Sequence, residues 1–295
     1  MKNKLLTIAW YALVSAMAVG TAVLIDPIWA WIAVFSFALY GLSAYFLAQP
    51  LLLALNEARE LPVEQARGVH RMVEELARRA RIAKPRLFVM ADHRPNAFTV
   101  GRGPGHSTIV LTRGILWASS ARELRGVLAH EIAYIESHEV FRGSMGAMIA
   151  ATLMSPVRLL ATGIRWRKVS SAADTGVIAQ SVSAALAPMA ALVVRVTAPG
   201  KRQLRADRTA ARWTGDPDGL ADALEILALS EPTCSTGDMA VASLFLVAPR
   251  AANEPLGARF STHPPIARRV AQLRALKQQM NDIRSSRVLY FARGV

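Results

Sequence analysis

Cysteine is nearly absent. Cys234 is the only one among 295 residues, so no disulfide can close within the chain and nothing demands an oxidising compartment. Acid is scarce beside base: 21 aspartates and glutamates face 35 lysines and arginines, a formal charge of +14 with a pI near 10.9. Such an excess suits nucleic acid or anionic lipid headgroups. The arginines are scattered, and neither a zinc finger nor an aromatic–basic RNA-binding motif occurs, so nucleic acid is set aside as a partner and the lipid bilayer is kept. Polar residues are also few. The chain is 53% apolar with a mean hydropathy of +0.27, high for a soluble globular protein, which points to membrane segments.

Charge is missing from two long stretches. Residues 5–25 and 28–48 are uncharged runs of 21 residues each, separated by Asp26-Pro27. As helices both are long enough for a hydrocarbon core of about 30 Å. Trp29, Trp31 and Tyr45 near the ends of the second fit interfacial belts. A cleaved leader is the alternative for the first run, but its length and the second run directly behind it favour a transmembrane hairpin over 1–48. Arg59, Arg67, Arg71, Arg78, Arg79 and Arg81 follow it, so the positive-inside rule puts the main body in the cytoplasm beneath a bacterial-type inner (plasma) membrane, in a multi-pass protein. A second apolar region, 141–198, is split by the basic loop RWRK at 165–168. A hairpin lying in the cytoplasmic leaflet keeps those cations on the anionic side; two further spans are the alternative.

Between and after these stretches lies a body, 49–140 and 199–295. A helical period runs through 62–82, with apolar residues at 66, 69, 72, 73, 76 and 80. RLFVMA (86–91) and TIVLT (108–112) read as strands, and the glycines of VGRGPG between them predict a hairpin. A hairpin edge can hold an extended peptide through main-chain hydrogen bonds. Ser120 and Glu123 form a capping box that opens the next helix. Thr214-Gly215 stops a helix begun at KRQLRAD (201–207), Pro217 opens another, and STHPP (261–265) starts the last, with Ile266, Val270, Leu273 and Leu276 on its apolar face. The fold expected is α+β, mainly helical, with a small β-sheet.

The second histidine of a zinc helix is what the sequence most conspicuously lacks. LAHEIAYIESHE (128–139) begins as H-E-x-x-H does, with His130 and Glu131, then places Tyr134 where the second histidine belongs. The complete motif works because two imidazoles four residues apart share one helix face and hold Zn²⁺, leaving the glutamate to deprotonate bound water. Half a motif, read alone, favours an ordinary helix.

Its surroundings resemble the HtpX-like membrane zinc metallopeptidases, relatives of the CAAX prenyl proteases. RPNAFTVGRG (94–103), ELRGVLAHEIAYI (123–135), RQLRADRTAARWTGDPDGLADAL (202–224) and FSTHPPIARRVAQLRAL (260–276) are similar, in this order, to that family's segments. The resemblance implies His130 as a zinc ligand and Glu131 as general base. It puts Tyr134 and Gln203 at positions where the family has a histidine and a glutamate, and Asp207 at that of an aspartate supporting a metal-bound histidine. His263 matches the closing-motif histidine near the active site; a helix-start histidine with no catalytic duty is the alternative. Asn96, Ala97, Phe98, Thr99 and Val100 become the candidate substrate-binding stretch. Two of three expected zinc ligands are thus replaced by neutral groups. Three readings follow: a pseudopeptidase that binds membrane-protein or unfolded polypeptide without cutting it efficiently; an active zinc endopeptidase of membrane-protein quality control with a non-standard ligand set; and a non-catalytic membrane interaction protein. In the first, Tyr134 OH is expected at the zinc position, hydrogen-bonded to Gln203, Glu131 or His130.

Overall fold

The structure is a computed structural model that describes residues 27–166, 192–193, 200–229, 244–247 and 264–292. The chain divides into two compact units, Met1–Ala48 and Gln49–Val295. Helix α1 (Pro27–Leu55) carries no charged residue and exposes Ile28, Trp31, Ile32, Phe35, Leu39 and Leu42. Residues 28–48, the second expected span, are helical throughout, while 5–25 lies outside the described residues. Among the described residues no helix is long and apolar enough to cross a membrane, so the expected spans are not supplied by the structure.

In the second unit the elements are β1 (Arg59–Glu60), α2 (Arg67–Ala80), β2 (Arg86–Met90), β3 (Ala97–Gly103), β4 (His106–Thr112), α3 (Arg113–Ala118), α4 (Ala121–Glu136), α5 (Glu139–Trp166), α6 (Lys201–Thr214), α7 (Pro217–Leu229) and α8 (Ile266–Ala292). Helix α5 runs uninterrupted from Glu139 to Trp166, through the first part of the expected 141–198 hairpin and into its basic loop; most of the remainder, 167–191 and 194–198, lies outside the described residues.

The four strands lie in the order β1-β2-β4-β3. This corrects the expected hairpin. RLFVM and its partner pair in parallel, Leu87 beside Ile109 and Val89 beside Leu111, and the hairpin is instead β3–β4, Phe98 opposite Val110. AFTVGRG was missed as a strand because its two glycines and arginine dilute the β-branched signal. One of those glycines is required: a Cβ at Gly101 would lie 2.4 Å from the His106 carbonyl oxygen and 2.7 Å from Ser107 Cα. The register shifts between Gly101 and Gly103, as at a bulge.

Strand alternation sorts the sheet's side chains onto two covered faces. Leu87, Ala97, Ile109 and Leu111 join a core with Val73 and Leu76 of α2, Leu128 and Ile132 of α4, Leu220 and Leu224 of α7, and Leu273 of α8. Phe88, Phe98, Val100 and Val110, one residue out of phase, meet Leu52, Ala147 and Phe245 on the opposite face. Thr99 therefore shares the α4 side of β3.

Helix α4 starts as expected. Ser120 Oγ accepts from Glu123 N at 3.3 Å, and Ser120 N donates to Glu123 Oε2 at 2.6 Å. Ten of its residues are buried, and it packs beside α6 and α7. Gly215, at φ +68°, ends α6 in the left-handed conformation, and Pro217 opens α7.

Candidate active site

Capping and burial fix α4 so that His130 and Glu131 face inward, 2% and 3% exposed. Asp207 comes to them from the facing side of α6, itself 3% exposed. His130 Nδ1 lies 2.8 Å from Asp207 Oδ1. An aspartate accepting from Nδ1–H holds the ring in one tautomer and turns the Nε2 lone pair toward the site. The family resemblance gave Asp207 this supporting place, and the geometry puts the carboxylate in contact with His130.

A charge at Asp207 needs a partner that sequence reading did not find. Arg269 of α8, 1% exposed, donates from Nε to Asp207 Oδ2 at 2.8 Å and from Nη2 to Oδ1 at 2.7 Å. Burial opposes the Asp207 anion, but this two-point guanidinium contact and the His130 hydrogen bond outweigh it, and the carboxyl is held well below its ordinary range. The missed signal was periodicity: 266, 269, 270 and 273 form one helical stripe, so Arg269 stands on the apolar face of α8.

Glu131 shows the opposite shift. Burial raises its pKa, with Asp207 adding to that, while His130, the Thr99 hydrogen bond and Arg269 work against it. Thr99 Oγ1 donates to Glu131 Oε2 at 2.6 Å. Because the folded pKa lies above the unfolded value of about 4.3, Glu131 costs stability progressively as pH rises from there through its folded pKa. Glu131→Gln keeps the shape and removes the penalised charge. The variant is expected to melt above the parent at pH 8 and to lose that advantage by pH 4. Thermal unfolding across that range checks it; a variant less stable at pH 8 contradicts the assignment.

Tyr134 is one turn beyond His130, and its hydroxyl goes elsewhere than expected. A Cβ at Gly143 of α5 would stand 3.0 Å from Tyr134 Oη and 3.2 Å from Leu244 Cδ2, so the phenol ends against Gly143. Among the described residues none exchanges a hydrogen bond with Tyr134 Oη, so the expected network to Gln203, Glu131 or His130 is not formed. Burial raises the phenol pKa, and the Glu139 and Glu131 carboxylates raise it further, so the group stays neutral. Gln203 is half-buried, with Oε1 sealed from solvent and unpartnered among the described residues. His263 lies outside the described residues.

The candidate substrate stretch is placed beside this cluster. Ala97, Phe98, Thr99 and Val100 are all buried, so what the strand could offer a peptide is its backbone edge. Asn96 Nδ2 donates to the Val247 carbonyl at 2.8 Å, and Val247 N donates to Asn96 Oδ1 at 3.3 Å.

The profile of Peptidase family M48 matches residues 63–277, a span holding every one of these groups. The chain belongs to peptidase family M48. Its M48 relatives include a Protease HtpX homolog of Desulforapulum autotrophicum, 35% identical over 240 residues, covering 79% of this chain and 76% of that protein. Another, from Pyrococcus abyssi, is 33% identical over 276 residues, covering 92% and 95%. The expected HtpX-type membership therefore holds. The crystal structure of S. mikatae Ste24p aligns at a TM-score of 0.46 with 18% identity, over 92% of this chain and 67% of that one.

M48 membership implies zinc, and the donors here can be tested against it. A catalytic zinc takes three good protein ligands. His130 Nε2 qualifies, but position 134 presents a neutral phenol aimed at Gly143, and position 203 a neutral amide oxygen. Among the described residues no group of three or more His, Cys, Asp or Glu side chains is placed to hold a metal. The described donor set does not fit a catalytic zinc of the usual kind.

Proposed function

We propose that this chain is an HtpX-type M48 homologue that binds extended polypeptide beside the His130–Glu131 pair and hydrolyses it weakly or not at all. The observation that carries the reading is the pair of neutral groups at 134 and 203, a phenol that ends against Gly143 and an amide that carries no charge. The neutral phenol and amide also leave Glu131 without a metal-bound water to deprotonate. His263 is proposed to flank the site as the resemblance implies. The sequence pattern supports a place in a bacterial-type inner membrane, with this domain facing the cytoplasm and the bilayer and membrane-protein chains as partners. The exposed apolar residues of α1 support the same place.

Metal analysis of the purified protein with a proteolysis assay tests this. Zinc well below one per chain, and cleavage unchanged by Glu131→Gln, are expected. Zinc near one per chain, with cleavage abolished by that substitution, would sink the proposal. A second reading, a zinc endopeptidase completed by an unusual ligand, is favoured by one observation: Gln203 Oε1 is a buried acceptor without a partner, which a cation would satisfy.

A further inference from the structure

The edge of β3 is already taken. Strand β3 is last in the sheet order, yet its outer side meets residues 244–247 of the same chain. Phe245 forms an antiparallel bridge with Phe98, and their rings meet edge to face, centroids 4.9 Å apart. Leu246 N donates to the Ala97 carbonyl at 2.7 Å, and Asn96 clamps Val247 through both of its amide atoms. Further along, Gly101 N donates to Ser144 Oγ of α5 at 2.9 Å. Phe245 and Leu246 are 6% and 1% exposed, so this is a packed contact.

We infer that residues 244–247 are a self-strand occupying, in cis, the edge on which an extended polypeptide binds, and that a peptide enters only by displacing them. The inference rests on the peptide-binding reading above. The self-strand also states what the edge accepts: a short extended apolar segment with an aromatic residue over Phe98, here Leu-Phe-Leu-Val. Two contacts tie it to the site. Arg269 donates from Nη1 to the Leu246 carbonyl at 2.7 Å while its other nitrogens hold Asp207, so one guanidinium serves both the self-strand and the carboxylate behind His130. Leu244 shares the surface of Gly143 with the Tyr134 hydroxyl, so the first residue of the self-strand and the phenol at position 134 lie against the same point of α5.

A competitor in cis lowers apparent affinity by the fraction of time the edge is open. Two variants loosen it differently: Leu246→Pro removes the N–H given to Ala97, and Phe245→Ala removes the ring on Phe98. The full chain in detergent, wild type and each variant, is titrated with a fluorescent peptide bearing Leu-Phe-Leu-Val between lysines, and amide exchange is followed on β3. Faster β3 exchange with peptide binding tightened about tenfold or more is expected in at least one variant that keeps a cooperative melt. Faster exchange with affinity unchanged from a measurable wild-type value overturns the inference. Exchange unchanged in both variants overturns it too, because the edge was then not covered. Faster exchange with no peptide bound by any protein sinks the peptide-binding reading itself, and the competition with it.

Discussion

Replacing Tyr134 by histidine and Gln203 by glutamate together is expected to raise zinc from well below one per chain to about one per chain. His130 is already in place. Its Nδ1 is fixed by Asp207, and Asp207 by Arg269, so one ligand is presented and supported before any metal arrives. Position 134 lies one helical turn away on the same face. A histidine there is shorter than the tyrosine, withdraws from Gly143 and brings a second imidazole to the same side of α4. Gln203→Glu is nearly isosteric and turns an unpartnered amide oxygen into an anionic donor. Each single change leaves one neutral group at the site, so both single variants should bind more weakly than the double. Zinc in excess by 1,000-fold over its dissociation constant adds about 4 kcal/mol of stability, so the melting temperature of the double variant should respond to zinc and that of the parent should not. Metal analysis and zinc-dependent melting read the outcome. A double variant that still takes up no zinc would mean that the site has lost more than its ligands.

How far the sequence could be read depended on whether a feature was local. The capping box at Ser120, the stop at Gly215 and the helix opened by Pro217 rest on side chains hydrogen-bonding or restraining their own neighbours, and the structure has them as expected. The His130–Asp207 contact joins residues far apart in the chain and was reached through the family resemblance alone. The strand pairing was misread because a parallel β2–β4 pair leaves no turn signal between its members, and because the glycines that let β3 bend also mask it as a strand. The self-strand had no legible signal: four residues bridged to an edge far away in sequence carry no period of their own. Arg269 was legible in principle. An arginine on an apolar stripe demands a buried anion, and Asp207 had already been singled out without a cation to match it.

That buried pair gives the largest expected effect on stability. Arg269→Met keeps much of the side-chain volume and removes the charge, leaving the Asp207 anion buried with only His130 beside it. Breaking one side of a buried ion pair costs about 3–5 kcal/mol, which in a domain of this size lowers the melting temperature by on the order of 10 °C. The loss should depend on pH in a set direction. In the parent, the depressed Asp207 pKa contributes stability that is present above the unfolded value of about 3.9 and is lost as pH falls through the lower folded value. In the variant the guanidinium is gone and burial pushes the carboxyl upward instead, so the gap between the two proteins should be full at pH 7 and shrink toward pH 3. Asp207→Asn in the same background separates charge from shape. The amide oxygen can still accept from His130 Nδ1–H, and the double variant should recover most of the loss. A double variant no more stable than Arg269→Met alone would show that Arg269 acts through its contact with the Leu246 carbonyl and the self-strand, not through the charge on Asp207.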